Sequence, residues 1–106
     1  MKYLACPYSH PEPSVREIRF QAVTDLAASK VAAGEHILSP ITHGHALAMT
    51  DHKLPMEFEY WEALCKKMID ACDEVMVLTL EGWKESVGVQ AEIRYAVETG
   101  KPVSYI

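Results

Sequence analysis

LEGWKESVGVQAEIRYAVETGKPV, residues Leu80 to Val103, decides the fold, because it reads in order as loop, helix, turn and strand. The loop Glu81 to Ser86 follows the apolar run Val75 to Leu80, which has the length and content of a buried strand. Ser86 stands where a helix N-cap stands, ahead of Val87 to Thr99. From Val89 the apolar positions recur at Ile93, Ala96, Val97 and Gly100 with helical spacing, while Gln90, Arg94 and Glu98 take the far side. Glu92 falls on the margin of the apolar stripe near the helix N-terminus, where the helix dipole favours a carboxylate and partial burial opposes it. On spacing alone it is either an ordinary early-helix glutamate or a half-dry one suited to act as a nucleophile. Gly100, Lys101 and Pro102 then turn the chain into a last strand, Val103 to Ile106.

The same alternation runs through the rest of the chain. Lys2 to Cys6 is a short apolar run without alternation, stopped by Pro7, as expected of a strand covered on both faces. Tyr8 to Pro13 is a polar loop, and Ser14-Val15-Arg16-Glu17 has the capping-box pattern that opens a long helix. Val15, Ile18, Ala22 and Leu26 give that helix its expected buried stripe, and Gly34 ends it. His36 to Ser39 is a second strand closed by Pro40. Ile41 to Pro55 has weak periodicity and is expected as a loop with one helical turn, forming a lid or pocket wall. Met56 to Cys72 is a clear helix, with Phe58, Trp61, Cys65, Met68 and Cys72 at helical spacing, and Asp73 leads into the third strand. Strands alternating with helices imply a small three-layer, doubly wound α/β domain, Rossmann- or flavodoxin-like, with a mostly parallel sheet of about four strands. A chain of 106 residues holds one such domain. Ligands of such sheets bind where loops leave the carboxyl ends of the strands, which here collects Cys6 to His10, Ser39 to His45 and Thr79 to Ser86.

Composition narrows the function classes. Net charge is −5, with 15 acidic against 10 basic residues and no basic run, so a nucleic acid polymer is not expected as a partner. The odd set Cys6, Cys65 and Cys72 lacks metal-type pairing and suits a reducing cytoplasm. The opening MKYLACPYSHPEP, interrupted by Pro7, is not expected to be a signal peptide, and no apolar run reaches membrane length, so a cytoplasmic protein without membrane contact is expected. His43, His45, Asp51 and His52 are metal-ligand types, but a loop His-Gly-His is more often solvated or packed; neither metal nor other cofactor is expected. Cys6 and His10 lack the third orienting group that a thiol nucleophile and its base need. Tyr8, Ser9 and His43 follow strand ends and are candidate ligand contacts, as are Arg16 and Arg19 if they meet phosphate rather than a salt bridge. Trp83 either stacks a base or pins its loop.

KYLACPYSHP, the Arg-bearing first helix, LSPITH, CDEVMVL and SVGVQAEIRYA, in this order and spacing, resemble the nucleoside 2-deoxyribosyltransferase superfamily along nearly the whole chain. GWKESVG is similar to a small branch of it, and a serine six residues before the glutamate resembles the 2-deoxynucleoside 5-monophosphate N-hydrolases. The resemblance implies cleavage of an N-glycosidic bond by Glu92, oriented by Tyr3. Where the transferases carry an aspartate that holds the sugar, this chain has Ser86, which with the amides of Gly88 and Val89 could receive a phosphate; the implied ligand is a (deoxy)nucleoside 5-monophosphate. The family's acid for the departing base corresponds to Cys65, and a thiol replaces it poorly; Glu62 and Asp70 lie about one turn away on either side. Two other expectations stay open: a nucleotide-binding or sensing module without turnover, and a flavodoxin-like protein-interaction domain. Short strands leave sheet edges exposed, and related proteins assemble, so a homodimer or larger homo-oligomer is expected.

Overall fold

The structure, a computed structural model, covers residues 1–106. Its elements are β1 (Lys2–Ala5), α1 (Pro13–Ala32), β2 (Ile37–Leu38), α2 (Pro40–Ala48), α3 (Phe58–Asp70), β3 (Glu74–Val77), α4 (Val87–Glu98) and β4 (Val103–Tyr105). The four strands are all parallel in the order β2-β1-β3-β4, with Tyr3 beside both Leu38 and Val75. Strand order reverses between β1 and β3, so the chain winds outward in both directions from the centre and leaves a crevice at the carboxyl edge there.

Side chains alternate across the central strands. Tyr3, Ala5, Val75 and Val77 pack on one face against Cys65, Ile69, Val89 and Ala96 of α3 and α4. Leu4, Cys6 and Met76 pack on the other against Val23 of α1. This sandwich is the expected three-layer domain. No helix is long and apolar enough to cross a membrane.

Four local expectations change. The segment after β2 is a nine-residue helix, not a loop: Ser39 caps it by accepting from Thr42 N–H, and Pro40 takes the first turn, where its missing N–H costs nothing. α1 starts two residues early with Glu12 at the cap and no side-chain cap bond, so the Ser14 to Glu17 capping box does not form. Ile18 and Val97, expected on buried stripes, are 66% and 65% exposed. Ser86 does cap α4 as expected, accepting from Val89 N–H at 3.2 Å.

Candidate functional site

At the carboxyl edge a cavity of about 340 Å³ opens between the loop after β1, α2, the start of α3 and the tip of α4. Cys6, Tyr8 and Ser9 come from the first of these; Pro40, Ile41, Gly44, His45 and Ala48 from α2; Phe58, Trp61, Leu64, Cys65 and Met68 from α3. Ser86, Val87, Gly88 and Glu92 come from α4 and its cap. The edge inferred from topology is therefore the edge that carries the cavity.

Glu92 lies one turn beyond Gly88 and is 6% exposed. Tyr3, on the face of β1 that meets α4, donates its hydroxyl proton to Glu92 Oε2. Burial pushes the Glu92 carboxyl up from its ordinary 4.5 to about 7, against the hydrogen bond from Tyr3, which pulls it down. Burial and the adjoining Glu92 charge hold the Tyr3 hydroxyl well above its ordinary value, so it stays a donor. Cys65 also lines the cavity, its thiol pushed up to about 11 by burial and then by Glu92. Cys6 is pushed up to about 12, again by burial first, with Arg19 pulling the other way. Neither thiol is ionised near neutral pH, which removes both as nucleophiles.

The tip of α4 has unused donors. Val87 and Gly88 N–H make no hydrogen bond within the chain, as the first amides of a helix cannot. Val89 N–H, expected to be free, is taken by Ser86 Oγ, and Val89 is fully buried behind the tip. Gly88 is required by close approach, since a Cβ there would stand 2.9 Å from Phe58 Cδ1.

Other candidates lie elsewhere. Arg19 donates to the carbonyls of Tyr8 at 3.4 Å, Ser9 at 3.1 Å and Glu81 at 3.2 Å, bracing two edge loops from behind rather than lining the cavity. Arg16 donates to the carbonyls of His10 and Pro11. His43 is exposed and off the cavity wall. Trp83 packs on Tyr105, ring centroids 5.4 Å apart, also off the wall. Glu62 pairs with Lys66 at 3.6 Å and Asp70 accepts from Tyr95 at 2.7 Å; neither reaches the cavity. No three His, Cys, Asp or Glu side chains converge as a metal ion requires.

The wall also contains residues the sequence did not single out as ligand contacts. Phe58 and Trp61 supply aromatic surface, and Glu57, Glu59 and Glu85 make the lining acidic. His45, 7% exposed, is stacked on Phe20 with ring centroids 3.9 Å apart. Its Nδ1 is 2.7 Å from Tyr8 Oη and its Nε2 is 3.1 Å from Glu17 Oε2. The sequence signal for His45 was Ser39-Pro40: read as cap and first turn, it makes a helix that turns His45 inward.

A doubly wound parallel sheet with a cleft at its switch point defines a Rossmann- or flavodoxin-like α/β protein. Along residues 1–106 the sequence matches the family described as Domain of unknown function (DUF1937), and the chain belongs to that family. No curated protein matches the sequence.

Proposed function

We propose that this protein cleaves the N-glycosidic bond of a (deoxy)nucleoside 5-monophosphate, by hydrolysis or base transfer, with Glu92 as nucleophile and Tyr3 orienting it. The observation that carries the proposal is a buried carboxyl at a cavity wall, fixed by one tyrosine hydrogen bond and poised near neutral pH. The resemblance to the nucleoside 2-deoxyribosyltransferase superfamily supports the same assignment. In the reaction the Glu92 carboxylate attacks the anomeric carbon, the C–N pair leaves with the base, and water or a second base resolves the glycosyl ester.

Phe58 and Trp61 suit an aromatic base. The free amides of Val87 and Gly88, with the Ser86 hydroxyl proton, suit one phosphate. Glu57, Glu59 and Glu85 oppose further negative charge, so a monophosphate is preferred to a di- or triphosphate. Ile18, Val87 and Val97 are large apolar side chains left mostly exposed, which supports a homo-oligomer as part of the proposal; light scattering measures it.

Incubation with a panel of nucleosides and nucleotides, read as released base, tests the reaction. Glu92→Ala abolishes release while leaving ligand-induced thermal stabilisation in place. Undiminished turnover in that variant removes Glu92 as nucleophile. Cys65, a thiol and hence a weak donor at the position expected of the acid, favours a second reading, a nucleotide-binding module without turnover; nucleotide stabilisation with no base release in the native protein selects it.

A further inference from the structure

Expulsion of a nucleobase needs a proton on the departing nitrogen, and the buried Cys65 thiol, a weak hydrogen-bond donor, is a poor source of one. A different group faces the same cavity. Tyr8 Oη lies 2.7 Å from His45 Nδ1, and His45 Nε2 lies 3.1 Å from Glu17 Oε2. Three elements meet to build this chain: the loop after β1, α2 and α1. Its inner end lines the cavity through Tyr8 and His45, and its outer end reaches solvent through Glu17, whose side chain is 49% exposed. Stacking on Phe20 fixes the imidazole plane, so both ring nitrogens are held toward their partners.

We propose that Tyr8, supplied with a proton by His45 and Glu17, is the general acid that protonates the departing base. The inference rests on the glycosidic reaction proposed above. When both ring nitrogens carry protons, Nε2–H donates to Glu17 and Nδ1–H donates to Tyr8 Oη, which leaves the Tyr8 hydroxyl proton for a ligand. Within the chain that proton has only Met56 Sδ at 3.8 Å, a weak acceptor. As the C–N bond breaks, the Tyr8 proton moves to the base nitrogen and the Nδ1 proton moves to Tyr8 Oη. The base leaves neutral, Glu92 is esterified, and His45 is left as a neutral imidazole bonded to Glu17. In the second half water adds to the anomeric carbon, its proton passes to Tyr8 Oη, and the Tyr8 proton returns to Nδ1 as Glu92 is freed. The same group thus serves as acid and then base, as a retaining mechanism requires. Burial, the largest influence on the Tyr8 hydroxyl, raises it and keeps it protonated until the base demands the proton.

The test compares guanosine and deoxyguanosine monophosphates with their 7-methylated forms, whose base departs neutral without gaining a proton. In single-turnover release, which reads cleavage of the C–N bond and not the later hydrolysis of the ester in which Tyr8 is the base, Tyr8→Phe lowers release of guanine by 100-fold to 10,000-fold, about the span of general acid catalysis, and release of 7-methylguanine by less than about tenfold. Glu17→Gln, at an exposed side chain that does not endanger the fold, moves the two substrates apart in the same direction. Equal losses on both substrates, or no loss on guanine, overturn Tyr8 as the acid while leaving Glu92 in place. Absence of release from either substrate in the native protein overturns the glycosidic reaction itself, and the acid with it.

Discussion

Replacing Glu92 by glutamine isolates the energetic cost of the buried carboxyl. Glutamine keeps an oxygen for the Tyr3 hydroxyl and nearly the same volume but cannot ionise. In the native fold burial holds the Glu92 carboxyl at about 7 instead of 4.5, with the Tyr3 hydrogen bond offsetting part of that rise. Below pH 4.5 the group is protonated whether the chain is folded or unfolded, and it contributes no difference. Between 4.5 and about 7 the unfolded chain has released the proton and the folded chain still holds it, so native stability falls with rising pH. Above about 7 both states are ionised and the full cost stands, about 3 kcal/mol at about 1.4 kcal/mol per tenfold change in proton affinity. Urea denaturation of both proteins from pH 4 to 8.5 therefore shows Glu92→Gln gaining on the native protein by about 3 kcal/mol between pH 4.5 and 8, then levelling. Taking the difference between the two proteins cancels every other titrating group. A difference that does not change with pH would mean that Glu92 titrates as an exposed glutamate does, and the buried nucleophile would have to be given up.

Three further substitutions probe the supports of the site. Tyr3→Phe removes the one hydrogen bond that pulls the Glu92 carboxyl down, so the pH at which Glu92 ionises, followed by carbon-13 NMR of its carboxyl, rises above about 7; a fall contradicts the assigned contact. Ser86→Ala frees Val89 N–H and costs about 1 kcal/mol in urea denaturation; an unchanged midpoint means the cap is not formed in solution. Gly82→Ala forces a side chain onto φ +91° and sets a Cβ 2.8 Å from Arg19 Nη2. It costs about 1–3 kcal/mol, and raised hydrogen exchange at the Tyr8 to Pro11 loop and around Glu81 reports the lost brace.

Much of the fold was legible because its signals are local and agree with one another. Ser86 as cap, the stripe Val89, Ile93 and Ala96, and the runs around Leu4 and Met76 each specify an element, and their alternation specifies a parallel sheet. The site's edge followed from topology, but its lining did not. α2 is short, and its inward face carries a histidine, so hydropathy alone could not mark it as a helix. In a loop His43 and His45 are interchangeable; in a helix two residues apart means opposite sides, and His45 turns in while His43 turns out. Phe58, Trp61, Cys65 and Met68 form one apolar stripe whether they bury in a core or face a cavity, and only the tertiary arrangement shows that all four do both. In α1 alanines on several sides, among them Ala22, Ala27 and Ala28, blur the stripe, so the inner face centred on Val23 was displaced from the one expected through Ile18. Glu17, read as a capping-box partner, is engaged instead by His45.

The high proton affinity of Glu92 looks at first like a defect in the proposed nucleophile, since near neutral pH part of the free protein holds the protonated form. The cost that produces it is desolvation of a negative charge with a single hydrogen bond to compensate. That cost is relieved by any positive charge arriving beside the carboxylate, and in the proposed reaction such a charge develops at the anomeric carbon as the base departs. The relief is small in the ground state, where the sugar is neutral, and largest when the ring carries oxocarbenium character. Up to about 3 kcal/mol of burial cost is then available as differential stabilisation, roughly a hundredfold in rate. A carboxylate satisfied by several donors would ionise readily but would have nothing left to gain from the transition state. The single tyrosine contact is a compromise between holding the group in place and leaving it under-solvated. On this account a second donor introduced beside Glu92, for example by Cys65→Ser at the side chain that shares the cavity wall with it, lowers the pH at which the site ionises and lowers maximal turnover at high pH together.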